Sequence, residues 1–255
     1  MNVIALAKYI PNPQGSPELG DDFLIKREGV EGGLDPGDEP SIEVALQLTE
    51  QGDGEATVIS MGPDPAEAAI RKALSMGAAK GVLISDPSLR GSDVLVTAKV
   101  LSTAILLQDF DLVVAAVEST DGYTGTLPQA LAEFLGVPAL TFARKVEATD
   151  GGIRIERQTE GGYEVVESAL PAVVTVTAGA AQARYPTLKG IMQAKQKPLE
   201  KMSIGDLGLT DEDVKPTQEV AKVEPAPERG AGEVIEDDGA AADRIVQFLK
   251  EAKVI

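Results

Sequence analysis

Cysteine and histidine, two side chains that enzymes often use as nucleophile and general base, are missing from this chain of 255 residues. It contains no cysteine and no histidine, which excludes thiolate chemistry, disulfides, cysteine-ligated metals and the commonest general base. The groups that remain are glycines, hydroxyls and carboxylates in loops, which suit ligand binding better than bond cleavage. We therefore expect no catalytic side chains and no metal site, with any redox chemistry supplied by a cofactor.

The segment from residue 116 to residue 127 has the residue types of a phosphate-binding loop. It follows a buried apolar run, Asp111–Val117, and precedes a predicted helix, Leu127–Leu135, which is where doubly wound sheets bind ligands. Its glycines allow close backbone approach, and the helix N-terminus offers free N–H groups. The pattern is neither a P-loop nor a GxGxxG motif, and an ordinary capped turn explains it about as well. The candidate residues are Ala116, Val117, Glu118, Ser119, Thr120, Asp121, Gly122, Tyr123, Thr124, Gly125, Thr126 and Leu127.

Two strand ends and one turn contain residues that could complete an adenosine pocket. Leu6 lies at the end of the first apolar run, and Met61, which could lie against a base, precedes the pair Gly62-Pro63. Each feature taken alone has an ordinary turn as its explanation. Their convergence at one edge of a sheet favours a nucleotide. The turn residues are Asp35, Pro36, Gly37 and Asp38.

These loops need an alternating framework of strands and helices to bring them together. Short buried runs alternate with amphipathic segments as far as residue 138, which predicts a mostly parallel sheet with helices on both faces. The predicted strands are Asn2–Ala7, Ala56–Met61, Gly81–Ser85 and Asp111–Val117, with a short strand proposed at Phe23–Arg27. The predicted helices are Ser41–Gln51, Pro65–Met76, a helix capped by Asp93 that runs to Leu107, and Leu127–Leu135.

From residue 139 the pattern changes to alternating strands separated by glycine-rich turns. The runs Leu140–Ala148, Ile153–Thr159 and Tyr163–Ala169 predict an antiparallel extension of the sheet. The almost unbroken β-branched run Ala172–Val176 then predicts a return to the buried sheet. The expected fold class is α/β, with an antiparallel strand extension and a C-terminal arm.

The segment after residue 176 has two competing interpretations. It contains Tyr185, Pro186, Thr187 and Leu188, followed by a basic amphipathic stretch, Lys189–Lys197, in an otherwise acidic protein. One interpretation is a docking surface for a partner. The other is a short helix with its lysines in solvent and Leu188, Ile191, Met192 and Leu199 packed inward. The residue pattern by itself favours the second interpretation.

The charge and the C-terminal region set further limits. A formal net charge of −18 argues against nucleic acid and against anionic membranes as partners. The N-terminal run lacks the features of a signal peptide, and no apolar stretch is long enough to insert in a membrane, so we expect a soluble, cytoplasmic protein.

We place the globular domain at residues 1–213. Residues 214–255 are expected to form an extended arm that includes a terminal helix, Asp238–Ala252.

Several of these segments together resemble the β subunit of electron transfer flavoprotein, in its bacterial branch. The resemblance is carried by RYPTLKGIMQAKQKPLE, by LPAVVTVT before it, by AIRKALSMGA and by ESTDGYTG. The sequence Ser60–Pro63 and the first strand ending at Lys8 fall in the right order and spacing. The likeness covers nearly the whole chain.

The resemblance implies a Rossmann-like (adenine-nucleotide-hydrolase-like) domain in a heterodimer with an α subunit that holds most of the FAD. Such a dimer accepts electrons from acyl-CoA dehydrogenases and related flavin dehydrogenases during fatty acid β-oxidation. It passes them to the membrane-bound electron transfer flavoprotein–quinone oxidoreductase, and its β subunit is an electron carrier subunit rather than an enzyme. The family's structural AMP would contact Leu6, Asp35–Asp38, Met61 and Ala116–Leu127.

The family also has a recognition loop, which falls at residues 176–198. The resemblance implies that Leu188 anchors the dehydrogenase, that the lysines form a rim, and that the C-terminal arm packs on the partner subunit. The implied docking residues are Tyr185, Pro186, Thr187, Leu188, Ile191, Met192 and Lys195.

One departure from the family pattern keeps alternatives open. Gly125, Thr126 and Leu127 replace the amide-bearing run of the mitochondrial-type loop. We rank AMP first as the occupant of the pocket, an empty site second and a second FAD, as in electron-bifurcating relatives, third. Two other functions compete: a stand-alone adenine-nucleotide-binding module like the stress proteins, and a purely structural interaction domain.

Overall fold

A mostly parallel sheet forms the framework of the protein in a computed structural model that describes residues 1–11, 18–27, 29–224, 234, 237 and 239–255. The strands are β1 (Val3–Leu6), β2 (Tyr9–Pro11), β3 (Gly32–Leu34), β4 (Ala56–Met61), β5 (Lys80–Ile84), β6 (Leu112–Ala116), β7 (Ala139–Thr149), β8 (Gly152–Thr159), β9 (Gly162–Ala169), β10 (Ala172–Val176) and β11 (Leu199–Met202). Nine of them form one sheet in the order β11-β5-β4-β1-β6-β10-β7-β8-β9, and β2 pairs with β3 in a separate antiparallel ribbon.

Helices cover both faces of the sheet. In the first part of the chain they are α1 (Asp38–Thr49), α2 (Glu67–Met76), α3 (Val94–Leu106), α4 (Leu127–Leu135) and α5 (Leu188–Ala194), and a further helix, α6 (Ala241–Glu251), lies near the C-terminus of the sequence. The apolar sides of α1 and α2 pack with one face of the sheet, and those of α3 and α4 pack with the other. β1, β6 and β10 are buried along their whole length, and their residues are apolar except for Thr175 in β10. The predicted α/β fold class is confirmed.

The order of the strands creates a crevice at the carboxyl end of β1. The chain runs from β1 through β4 to β5 on one side, then crosses back to β6 on the other side of β1. Loops that leave β1 and β6 therefore diverge around a common opening. In doubly wound sheets this reversal of strand order is the usual ligand site.

The strand β7 joins the parallel and antiparallel parts of the sheet. Its first residues pair in parallel with β10, and its later residues pair antiparallel with β8. The register shifts on both sides of Phe142, whose φ of 58° lies in the left-handed region. The Phe142 N–H donates to the buried Thr175 hydroxyl at 2.9 Å, which holds this irregular position. The predicted antiparallel extension is confirmed, although its first strand belongs to both parts.

Three short strands differ from the sequence-based expectation. Leu199–Met202 forms the edge strand β11, parallel to β5, where we expected no strand. Gly32–Leu34 pairs with Tyr9–Pro11, in a region expected to be loop. The strand predicted at Phe23–Arg27 is wrong, because only an isolated bridge between Leu19 and Ile25 forms there. Short edge pairings of this kind bury few side chains and leave little pattern in the sequence.

The described chain divides into two compact units, Met1–Val220 and Ala221–Ile255. The second unit contains α6, which has no buried residue. Part of the predicted arm, including the start of the helix predicted at Asp238, and residues 12–17 lie outside the described residues. Among the described helices, none has the length and apolar character needed to cross a membrane.

Candidate functional site

An ionic cluster lies where the loops after β1 and β6 meet. Lys8 follows β1, and its ammonium group donates to the Asp121 carboxylate at 2.6 Å and to the Ser119 hydroxyl at 3.1 Å. Arg27 reaches the other oxygen of Asp121 at 2.5 Å. The Asp121 side chain is only 5% exposed, whereas Lys8 is 40% exposed. Two cations therefore meet one buried carboxylate at the mouth of the crevice.

These two cations determine the ionisation of the aspartate. Burial alone would raise the pKa of Asp121, but the charges and hydrogen bonds of Lys8 and Arg27 outweigh it and hold that pKa below its usual value. Asp121 is therefore a carboxylate at neutral pH. Lys8 and Arg27 were not among the predicted site residues, and the position of Lys8 directly after a buried strand is the only local signal that could have indicated it.

Asp35 links the turn before α1 to the loop after β6. Its buried carboxylate accepts hydrogen bonds from the Thr120 N–H at 2.7 Å, the Thr120 hydroxyl at 2.9 Å and the Gly37 N–H at 2.9 Å. The Asp35 N–H in turn donates to the Lys8 carbonyl at 2.9 Å. The three predicted segments are thus brought together, and Asp35 acts as the connection between them.

Asp38 is buried at the N-terminus of α1, and carboxylates lie near its side chain. Its carboxylate accepts from the Lys8 N–H at 2.7 Å, and its residue is 7% exposed. Burial, reinforced by the nearby charges of Asp35 and Asp121, raises the pKa of Asp38 well above the usual value despite that hydrogen bond. The site therefore contains two carboxyl groups whose pKa values are displaced in opposite directions.

The loop after β6 presents its backbone to the crevice. Tyr123 and Gly125 have φ angles of 48° and 65°, so the chain makes two left-handed turns before α4. A Cβ atom at Gly122 would lie 3.2 Å from the Ser119 hydroxyl and 3.7 Å from the Lys8 ammonium group. Thr126 caps α4 without a side-chain hydrogen bond, which leaves the N–H groups of Leu127 and Gln129 available to an anion, whereas Pro128 between them has no N–H.

Three of the remaining predicted residues lie at the carboxyl ends of the neighbouring strands β1, β4 and β6. Leu6 and Ala116 are buried at the ends of their strands, and Met61 is partly buried at the end of β4. Together with the free helix N-terminus and the nearby cations, this donor set fits the phosphate of a nucleotide. Among the described residues, no cluster of three or more acidic side chains is arranged to hold a metal ion.

A second candidate site is the exposed end of the segment that contains α5. Tyr185 is 89% exposed, Leu188 77%, Met192 65% and Ile191 47%. We call these four side chains the outer patch. The alternative in which Leu188, Ile191 and Met192 pack inward is therefore wrong, because the short helix turns its apolar side chains outward. Pro186 is partly buried, Thr187 caps the helix through the Gly190 N–H at 3.0 Å, and Lys195 is exposed.

Polar side chains tie this segment to α2. Arg71 donates to the carbonyls of Ala194 and Lys197 at 2.8 and 3.0 Å. The Lys197 ammonium group donates to the carbonyls of Leu74, Gly77 and Ala78 at 3.0, 3.2 and 2.6 Å, where it caps the C-terminus of α2. The expectation that all lysines form a solvated rim is wrong for Lys197, because the free carbonyls of a helix end attract it.

The chain is similar to one protein family and to several named proteins of bacteria. The family profile described as "Electron transfer flavoprotein domain" matches residues 22–207. A Mycobacterium tuberculosis protein named "Electron transfer flavoprotein subunit beta" is 38% identical over 264 residues, covering 100% of this chain and 99% of the relative. A Bacillus subtilis protein of the same name is 36% identical over 234 residues, or 91% of each chain. The "Caffeyl-CoA reductase-Etf complex subunit CarD" of Acetobacterium woodii is 32% identical over 266 residues, or 100% of each chain.

Proposed function

The chain belongs to the family of electron transfer flavoprotein β subunits, and from that premise we propose that it forms a heterodimer with a flavin-bearing α subunit. The observation that carries the proposal is the similarity over the full length of the chain, which includes both candidate sites. In this role the dimer carries electrons from acyl-CoA and related flavin dehydrogenases to a membrane-bound quinone oxidoreductase. FAD, held mainly by the α subunit, supplies the redox chemistry. This chain contributes binding surfaces and orientation.

The proposed role of the crevice is to hold AMP. The N–H groups at the start of α4 and the left-handed loop before it would receive the phosphate, and Lys8 lies at hydrogen-bonding distance of the same loop. Leu6 and Met61 would face the adenosine. Asp35 would keep the loop in this shape by its bonds to Thr120. In this role the nucleotide stabilises the fold and takes no part in electron transfer.

The proposed role of the outer patch is to dock the dehydrogenase. A set of apolar side chains that are 47–89% exposed, on a segment fixed to two helices, has the composition of an interface centre. Leu188 lies at the middle of this set, with Lys189 and Lys195 beside it. We assign the main contact energy to Leu188, and to the lysines a role in steering an acidic partner.

A second candidate occupant of the crevice is FAD. The observation that favours it is the likeness to a subunit whose name places it in a caffeyl-CoA reductase–Etf complex. The crevice would then hold a second flavin in place of AMP, with the pyrophosphate at the start of α4. Bound nucleotide content distinguishes the two assignments.

Coexpression with the α subunit tests the proposed function. The expected result is a stable complex with the yellow absorbance of FAD, whereas the chain expressed alone is colourless. Reduction of the complex by an acyl-CoA dehydrogenase and its substrate should bleach that absorbance. Failure of the two chains to co-purify would contradict the proposal, and stoichiometric FAD on the isolated chain would contradict the AMP assignment.

A further inference from the structure

Arg184, directly before the outer patch, is bound to α1 by an extensive ion pair. Its guanidinium group donates to both oxygens of Glu43, at 2.8 and 3.0 Å, and to both oxygens of Glu50, at 2.5 and 3.1 Å. The Arg184 backbone N–H adds a bond to Glu43 at 3.2 Å. One side chain therefore satisfies two carboxylates that lie two turns apart on the same helix.

The burial of Glu43 distinguishes its ion pair with Arg184 from an exposed surface contact. The Glu43 side chain is 5% exposed and Arg184 is 32% exposed, while Glu50 is 57% exposed. Burial opposes ionisation of Glu43, but the bonds from Arg184 and Gln47 outweigh it and lower its pKa. Loss of the arginine would leave a buried carboxylate without a counter-charge, which is far more costly than loss of an exposed pair.

The ion pair of Arg184 fixes the backbone directly before the outer patch. Tyr185 follows Arg184 directly, and Leu188 begins α5 three residues later. The other end of the segment is held by Arg71, through the carbonyls of Ala194 and Lys197. Between these attachments the segment packs against the Ser75 carbonyl of α2 at Gly190 and against the core at Ala194, which is 4% exposed. The residues between Arg184 and Gly190, which include Tyr185 and Leu188, therefore depend on Arg184 for their position relative to the sheet.

We propose that Arg184 is a positioning residue of the docking surface, which holds Tyr185 and Leu188 in the geometry that a dehydrogenase accepts. This inference rests on the proposed docking function. A segment that is already ordered loses less conformational entropy when a partner binds, so the ion pair should improve affinity without contacting the partner. Lysine cannot bind two carboxylates in this bidentate manner, so the guanidinium group is specifically required.

The test uses the reconstituted heterodimer as electron acceptor for an acyl-CoA dehydrogenase. Arg184→Gln should raise the KM for the heterodimer about five- to tenfold, with kcat nearly unchanged. Arg184→Lys should recover part of the loss, and Glu50→Gln, which removes only the exposed half of the ion pair, should raise KM about twofold. Arg144→Gln, on β7, breaks the partly exposed pair with Glu156 of β8 and serves as the matched control, with no change expected.

Hydrogen exchange separates positioning from direct contact. Amides of residues 178–188 should exchange about tenfold faster in Arg184→Gln, in the heterodimer without a dehydrogenase. A raised KM with unchanged exchange would overturn the proposal, because Arg184 would then contact the partner itself. If Arg184→Gln fails to assemble, Arg184→Lys and Glu50→Gln decide the question by the same two measurements.

Leu188→Ala distinguishes a failure of the positioning role of Arg184 from a failure of the docking function. If Leu188→Ala raises KM and the Arg184 variants change neither KM nor exchange, the positioning role is wrong and the docking function stands. If Leu188→Ala also leaves KM unchanged, the docking function itself is wrong.

Discussion

Asp38 and Asp121 lie in the same crevice and respond to pH in opposite directions. Asp38 is buried beside other carboxylates with one backbone donor, and its pKa is raised. Asp121 is buried between Lys8 and Arg27, and its pKa is lowered. The difference follows from the neighbouring charges rather than from burial, which both residues share.

The substitution Asp38→Asn should stabilise the isolated chain at neutral pH. Native Asp38 keeps its proton to a higher pH than the unfolded chain does, so it reduces stability progressively as the pH rises through the usual aspartate pKa. Asparagine keeps an acceptor for the Lys8 N–H and removes the charge. We expect a gain in the free energy of unfolding at pH 7 that disappears in acid, measured by urea unfolding across this pH range.

Asp121→Asn is the matched control for that experiment, with the opposite sign. Ionised Asp121 contributes stability above the usual aspartate pKa, and this contribution is lost as the pH falls through its lowered native pKa. The variant should lose about 1–3 kcal/mol at pH 7, because Lys8 and Arg27 lose their counter-charge. Changes of the same sign in both variants would contradict the assigned ionisation.

Leu188→Ala should weaken docking by about 1–3 kcal/mol, the cost of removing an interface hot spot. Because Leu188 is 77% exposed, folding and flavin content should not change. Leu106→Ala is a suitable control, since Leu106 is 62% exposed on α3, which covers the opposite face of the sheet. The measurement is the rate of reduction by a dehydrogenase as a function of heterodimer concentration. Unchanged rates of reduction in Leu188→Ala would show that Leu188 is not the main contact with the dehydrogenase.

At the level of elements, the position of α5 depends on close contact with α2. A Cβ atom at Gly190 would lie 2.5 Å from the carbonyl oxygen of Ser75, so the two helices could not keep their present distance. Gly190→Ala should therefore destabilise the segment, although alanine is the better helix former by about 1 kcal/mol.

Proteolysis and hydrogen exchange of α5 measure the effect of Gly190→Ala. The control is Gly179→Ala in the same segment, where an added Cβ meets nothing within 4 Å. Gly179 lies in a turn and Gly190 in a helix, so the higher helix propensity of alanine would favour α5 only in Gly190→Ala. Lower protection of α5 in that variant therefore reports the lost contact with α2. Equal protection of α5 in both would show that the close approach is not required.

The elements that sequence analysis predicted well are those that bury apolar residues between clear stops. β4 and α4 were predicted with the bounds they have, because an apolar run ends at Gly62 and at Gly136. β11 was missed because only one of its four residues, Met202, is buried, so the segment shows no apolar pattern.

The polar contacts of both sites could not be derived from local pattern. Lys8 lies 113 residues from Asp121, and Arg184 lies 141 residues from Glu43. Nothing in the sequence near either residue selects its partner, because the fold alone brings them together. The predicted site residues of the crevice were found from their place at strand ends, which is a property of the topology.

At the level of the whole molecule, the candidate sites lie in the first unit, and the second unit contains an amphipathic helix with exposed apolar side chains. Ile245, Val246 and Phe248 of α6 are 54%, 43% and 66% exposed, and no residue of that helix is buried. Exposed apolar side chains on one helix suit the centre of an interface, so removal of residues 221–255 should abolish co-purification with the α subunit.

Two substitutions separate the apolar face of α6 from the mere presence of the segment. Phe248→Glu should weaken assembly with the α subunit, and Lys250→Glu, at another exposed position of the same helix, should not. Intact assembly of the truncated chain would contradict the proposed role of the C-terminal arm.

The most direct test of the proposed nucleotide site is the mass of each nucleotide released from the purified heterodimer on denaturation. We expect one FAD and one AMP per dimer, with the AMP lost from a Lys8→Gln, Arg27→Gln double variant that retains its FAD. Two FAD per dimer, or FAD without any second adenine nucleotide, would contradict the assignment of the crevice.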